Sequence, residues 1–350
     1  MAELLTIRAP PPLKVRGSLL KVEDFAVAYR VDGMNVHAVE GIDFAMPAGA
    51  TLGLVGESGC GKTTLARALM GVLPTNARIT RGKVWLDGVD LAALPEEEHR
   101  AKLWRDLSFV PQTAMNALDP VYRLRDQMRE VLCKRGGLSR SAADARATEL
   151  FRAVGLDPSR LMDYPHQFSG GMRQRAAIAM ALALRPRLII ADEPVTALDV
   201  IVQRQVLDTI RGLSTDLGLS AIIVTHDISV VAYLCSVVAV MYAGRIVEFG
   251  PIDKVMREPA HPYTMGLMNA SPDLERAGED LVPIEGSPPS LVEPPPGCRF
   301  AERCPFALPA CGEAQPPTMD VAADHRAACI RIDEVSELRA QAREASTWRH

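Results

Sequence analysis

Residues 56–64, reading GESGCGKTT, constrain this chain more than any other stretch. They carry the pattern G-x-x-x-x-G-K-S/T, with Gly56, Gly61, Lys62 and Thr63 at the defining places. Small residues let backbone N–H groups curl around an anion, the following helix offers its positive end, and Lys62 adds a full charge. Thr63 brings a hydroxyl suited to Mg2+. Ahead of the loop, Thr51–Val55 (TLGLV) predicts a buried strand, and behind it residues 65–73 are apolar at helical spacing. Strand, loop and helix thus follow in the order a phosphate-binding loop needs, against the competing reading of a chance glycine turn.

Composition narrows the classes. A length of 350 residues suggests about two domains. With 39 Lys and Arg against 43 Asp and Glu, net charge −4, there is no bulk basic field to attract nucleic acid. Residues 1–18 lack the apolar core of a signal peptide and are interrupted by Pro10, Pro11 and Pro12, so they predict a loose leader. The longest apolar stretch, near residues 230–243, is shorter than the ~20 residues of a membrane helix and contains Ser236. Seven cysteines without a secretion signal point to a reducing compartment, where thiols serve as core fillers, metal ligands or nucleophiles.

Along the chain, residues 19–47 read as short strands around the turn-prone VDGMN, and residues 82–91 as a hairpin around Asp87-Gly88. Together they predict an antiparallel flap. Tyr29 lies in it, either as a ring able to stack on adenine or as a half-buried strand tyrosine. Residues 94–184 predict an inserted, mostly helical subdomain, in which Leu150, Phe151 and Val154 share a helix face and Gly155 stops it. Residues 107–112 form a strand closing on Gln112, on its own merely a solvated loop residue. Ser169-Gly170-Gly171-Met172 opens a further helix: Ser169 can cap it, and bare amides would make a second anion-binding terminus, although S-G-G is also a common loop.

Leu188–Asp192 (LIIAD) predicts a parallel strand buried on both faces, ending in Asp192 and Glu193. One carboxylate there suits hydrated Mg2+ and the other an attacking water; the alternative is an exposed acidic turn. Thr196 to Asp199 (TALD) lead into another helix. The next strand, residues 219–225, closes on His226, which would reach a γ-phosphate if the two strands are neighbours and is otherwise structural. Residues 236–247 complete the sheet, with the core ending near Phe249 or Gly250.

In their order and spacing, Tyr29, GESGCGKTT, Gln112, FSGGM, LIIADEP, ALD and His226 resemble the A-loop, Walker A, Q-loop, signature, Walker B, D-loop and H-loop of ABC transporter ATPases. GLVGESGCGKTT, PQTAMNALDP, SGGMRQRAAIAMAL and ADEPVTALDV are similar to the dipeptide and oligopeptide importer branch, which also shares Met172 where many ABC families have Gln. The likeness runs from about residue 19 past 315. It implies an α/β P-loop NTPase (RecA-like) core with an antiparallel β subdomain, an inserted α-helical subdomain and a small Cys-rich extension. It implies ATP held by Tyr29, Gly56, Glu57, Ser58, Gly59, Cys60, Gly61, Lys62, Thr63 and Thr64, and across a head-to-tail dimer by Ser169, Gly170, Gly171 and Met172, with Asp199 in the D-loop. Thr63, Gln112 and Asp192 would manage Mg2+, Glu193 would act as general base and His226 would hold the γ-phosphate. Implied partners are a second, homologous ATPase subunit, two transmembrane permeases that dock near residues 112–120, and indirectly an extracytoplasmic peptide-binding protein. The implied place is the cytoplasmic side of the membrane, without nucleic acid. The competing class is a non-transport ABC ATPase acting on ribosomes or DNA, usually marked by two cassettes or a coiled-coil insertion; a third is a redox-sensing interaction module.

Residues 251–297 resemble the branch's extension, with its HPYT element, followed by a proline-rich, stiff connector. Cys298, Cys304, Cys311 and Cys329 follow with spacing C-x5-C-x6-C-x17-C in a Cys-rich region, residues 298–330, while Cys60, Cys133 and Cys235 are scattered. Four thiolates suit zinc or iron–sulfur, the resemblance implies a 4Fe-4S cluster, and unliganded thiols are the third reading. Residues 331–350 are expected to form a polar helix or to fray.

Overall fold

The computed structural model describes residues 17–112, 117–196, 198–270 and 282–349, and leaves aside the side chains of 216 and 217. The expected leader lies almost wholly outside these residues, as do 113–116 of the expected docking segment, Ala197 of TALD and 271–281 of the expected linker. The chain divides into two compact units, one comprising Met1–Ser18, Pro47–Thr51 and Leu91–Thr225, the other Leu19–Met46, Leu52–Asp90 and His226–His350.

In the first unit, strands Leu107–Val110, Leu188–Asp192 and Ser220–Thr225 lie in parallel, with Leu107 opposite Leu188 and Asp192 opposite Val224. Every residue of the second and third is buried, as their unbroken apolar runs require of strands covered on both faces. The expected neighbourhood of the acidic strand and the strand before His226 is therefore real. Helix Arg140–Ala153 is capped by Ser139, buries Ala143, Ala147, Leu150 and Phe151, and stops just before Gly155. Helix Val200–Leu217 is capped by the Asp199 carboxylate, which accepts from Val202 N at 3.0 Å.

The second unit holds two sheets. One has the order Met34–Pro47, Ser18–Val31, Ala77–Leu86, Val89–Asp90, and its last two strands pair across Asp87-Gly88 as the hairpin signal predicts. In the other, residues 52–55 run parallel to Val237–Tyr242, which pairs antiparallel with Arg245–Pro251. Two short strands from the C-terminal region, His325–Ala327 and Met319–Ala322, extend this sheet, so the expected core end near Gly250 falls inside a paired strand. Beneath that pairing, the buried Glu248 carboxylate accepts from Ala260 N (2.7 Å) and His261 N (2.9 Å) and bonds His325 Nε2 (2.7 Å). A buried carboxylate is tolerable only with such complete pairing, and here the partners tie the extension to the sheet. The final segment does not fray: helix Val335–Ala342 buries Leu338, and Trp348 is buried with its indole N–H on Ala342 O. Among the described residues, no helix is long and apolar enough to cross a membrane.

Candidate functional site

The phosphate-binding loop predicted from the sequence lies in the second unit. Gly61 precedes helix Lys62–Leu69 at φ 102°, and a Cβ there would sit 2.3 Å from Ala38 O; at Gly56 it would sit 2.1 Å from Met241 O. Both places therefore demand glycine, and the loop wraps as the sequence predicts. No side chain caps the helix, so its first amides face the loop. The Lys62 ammonium, almost fully buried, bridges the carbonyls of Gly56 (2.7 Å) and Glu57 (2.8 Å). Such a cation, surrounded by backbone dipoles, is poised to exchange carbonyls for phosphate oxygens. Ser58 and Gly59 are exposed at the tip, while Thr63 and Thr64 lie half-buried behind it. Burial raises the Cys60 thiol above its usual range, and its sulfur lies 3.7 Å from Lys62 Nζ. The Tyr29 hydroxyl bonds Thr64 Oγ1 at 3.1 Å, and its ring lines a shallow cavity with Asn35, Asn76 and Arg78. His226 is exposed; the adjacent Asp227 caps helix Ile228–Leu234.

The two carboxylates predicted from the sequence lie in the first unit. Asp192 is buried at the end of its strand, and Glu193 turns the corner at φ 48°, a left-handed conformation costly for a side chain with a Cβ. Its N–H donates to Val224 O at 2.8 Å. The corner aims the carboxylate at Gln112, whose Nε2 donates to Glu193 Oε2 at 2.9 Å, and at Thr196, whose hydroxyl donates to the same oxygen at 2.9 Å. Thr196 was not singled out from the sequence, although its position three residues after Glu193, closing a turn, is a usable signal.

Ser169 caps helix Gly170–Ala181 as expected, its Oγ accepting from Met172 N at 3.3 Å. Ser169 is exposed, Gly170 and Met172 are half-buried and Gly171 is buried. Gly171 has a packing reason that the sequence alone did not reveal. A Cβ there would meet Val202 Cγ1 at 2.0 Å, so the glycine lets two helices approach closely.

Comparison with known proteins agrees with this geometry. Residues 39–196 match the ABC transporter family, and residues 247–311 match the C-terminal region of oligopeptide/dipeptide transporters. The chain is 41% identical to the dipeptide transport ATP-binding protein DppD of Bacillus subtilis over 91% of this chain and 96% of that one. The chain belongs to the ATP-binding subunits of the oligopeptide/dipeptide ABC transporter family. It is also 43% identical to the oligopeptide transport ATP-binding protein OppD of Salmonella typhimurium, over 88% and 92% of the two chains. A dimeric ATP-binding cassette solved with ADP and Pi superimposes with a TM-score of 0.60 at 25% identity, covering 67% of this chain and 98% of that one. The fold is thus the RecA-like P-loop ATPase core with mixed sheet and helical subdomains expected from the sequence.

This member of the ABC family departs from expectation at its cysteines. Cys298, Cys304, Cys311 and Cys329 do line one pocket, but its walls are apolar, with Phe300, Phe306 and Ile330. Among the described residues, no group of three or more His, Cys, Asp or Glu is placed to hold a metal ion, and all seven cysteines are free. The expected 4Fe-4S cluster, and zinc as its alternative, are therefore set aside. In this apolar setting burial pushes the Cys304 thiol up to about 12 and that of Cys329 up to about 11, and raises Cys298. Two of the sulfurs accept backbone N–H groups, Cys311 from Leu308 and Cys329 from Arg331. The clustering of four thiols and the family resemblance led to the expected cluster; in the fold Cys311 is buried and Cys298, Cys304 and Cys329 are half-buried against apolar side chains.

Proposed function

We propose that this chain is the ATP-hydrolysing subunit that powers peptide import, converting ATP and water to ADP and phosphate, at the cytoplasmic face of the membrane. Residues 19–250, with the helical insertion at about 94–184, would form the nucleotide-binding part, and residues 251–297 and 298–330 the family extension. The single observation that carries the reading is the buried Lys62 ammonium spanning the Gly56 and Glu57 carbonyls within a glycine-shaped loop. It is supported by near full-length similarity to proteins named for dipeptide and oligopeptide transport.

In this reading Gly56–Gly61 amides and Lys62 bind the phosphates, Tyr29 stacks on the base, and Thr63, Asp192 and Gln112 supply the hard oxygen donors that Mg2+ prefers. Bound Mg2+ would neutralise developing phosphate charge. Glu193 takes the proton of the attacking water, and His226 contacts the γ-phosphate. The contribution is positioning and electrostatics. Ser169, Gly170, Gly171 and Met172 complete the site of a second, homologous subunit on head-to-tail closure, and Asp199 supports that junction. Two permease subunits and an extracytoplasmic peptide-binding protein complete the importer. The test is reconstitution of the complex in vesicles: peptide uptake that requires MgATP and is lost with Lys62→Ala supports the proposal, and ATP-independent uptake, or association with ribosomes or DNA in place of permeases, contradicts it.

A further inference from the structure

Glu57, the second residue of the phosphate loop, is held from three sides. Its carboxylate receives the Arg303 guanidinium in a two-pronged pair, Nη1 to Oε2 and Nη2 to Oε1, both 2.9 Å. Its N–H donates to the Tyr263 hydroxyl at 2.8 Å, and its carbonyl accepts the Lys62 ammonium at 2.8 Å. Arg303 and Tyr263 both belong to the C-terminal extension. One peptide therefore carries the extension on one side and the phosphate-binding cation on the other.

The clamp is stiff. The Arg303 side chain is only 6% exposed, and its remaining N–H groups are directed to Glu285 O, Ile284 O and the Tyr242 hydroxyl. A planar guanidinium with every nitrogen engaged fixes its partner in angle as well as distance. Tyr263 is fully buried, packed against Tyr242 and Phe300 at ring distances of 4.6 and 5.4 Å. The helix that carries it, Pro262–Asn269, starts from His261, whose Nδ1 accepts from Tyr263 N, with Pro262 in the first turn. The His-Pro-Tyr run is thus a device for setting one phenol at one place.

The extension is also attached at other places. Arg299 separately bonds Ala243 O and Glu40, and Glu248 ties Ala260, His261 and His325. A second clamp aimed at the phosphate loop itself calls for a second purpose. We propose that Arg303 and Tyr263 are positioning residues for ATP binding, which hold Glu57 so that the loop and Lys62 are arranged for phosphate before nucleotide arrives. The inference rests on the ATPase reading above and adds to it a role for the extension.

The test measures MgATP affinity of the full chain by calorimetry, beside thermal melting and the KM and kcat of the reconstituted complex. Arg303→Met and Glu57→Gln are each expected to weaken MgATP binding about tenfold, the loss of a buried charged hydrogen-bonded pair, with KM rising more than kcat falls. The double variant is expected to be no weaker than either single one, since both break the same contact. Tyr263→Phe, which keeps the packing and removes only the acceptor, is expected to weaken binding roughly threefold without loss of fold, and it carries the test should Arg303→Met not fold. Arg303→Lys is expected to recover part of the affinity. Folded variants that melt lower but bind MgATP like the wild type would overturn the inference and leave the ATPase reading intact. A wild-type chain that binds no MgATP would overturn both.

Discussion

The Gln112 side-chain amide donates to Glu193 Oε2 at 2.9 Å, joining two motif residues 81 positions apart in sequence. The Thr196 hydroxyl donates to the same oxygen. The carboxylate proposed to take the proton of water is therefore oriented by two donors and by a left-handed backbone at its own position. Replacing Gln112 with Ala is expected to lower ATP turnover by roughly tenfold or more through lost orientation. Because the bond lies at an exposed position, stability is expected to move by only about 0.5 kcal/mol. Steady-state hydrolysis beside thermal melting checks both, and Thr196→Val is expected to act in the same direction.

Gly171 allows helices Gly170–Ala181 and Val200–Leu217 to touch at Val202. Gly171→Ala is expected to destabilise the protein by about 1–3 kcal/mol, as overpacking does, despite the better helix propensity of Ala. Pairing it with Val202→Ala should return most of that loss. A denaturant midpoint for the single and double variants measures the coupling.

Burial pushes the His261 imidazole from the ordinary 6.5 down to about 3, which agrees with Nδ1 accepting, not donating, a hydrogen bond. Its folded-state pKa lies below its unfolded one. The stability it contributes is thus complete above pH 6.5 and is lost as pH falls from there toward 3, because the unfolded chain alone takes up the proton. The expected slope is about 1.4 kcal/mol per pH unit in that window. His261→Asn keeps a helix-capping acceptor but cannot titrate, so its stability should fall by about 1 kcal/mol less than that of the wild type between pH 7.5 and 5.5. Urea denaturation at the two pH values reads the difference.

What was legible in the sequence was what neighbours along the chain decide. Gly61 and Lys62, the Ser169 cap and the Asp87-Gly88 hairpin depend on backbone geometry within a few residues, and each stands where the sequence places it. The parallel strands ending in Asp192 and Thr225 were legible for the same reason, as apolar runs with no polar alternation. Side-chain partners brought together by the tertiary fold were not. Nothing in the residues around Glu57 announces Arg303, 246 positions away, and nothing in FSGGM announces Val202. The cysteines misled because closeness in sequence and a family resemblance speak to ligand count, while a metal site needs its ligands placed together by the fold, and among the described residues no such group is found.

The role of Glu193 is the point at which the account is most exposed. In the reconstituted complex, with purified wild type and Glu193→Gln compared at saturating MgATP, phosphate release is the measurement. Glu193→Gln is expected to keep MgATP affinity and to stabilise the closed, ATP-bound dimer, while turnover falls at least about a hundredfold with the loss of the general base. Wild-type phosphate release by the pure variant would contradict the account.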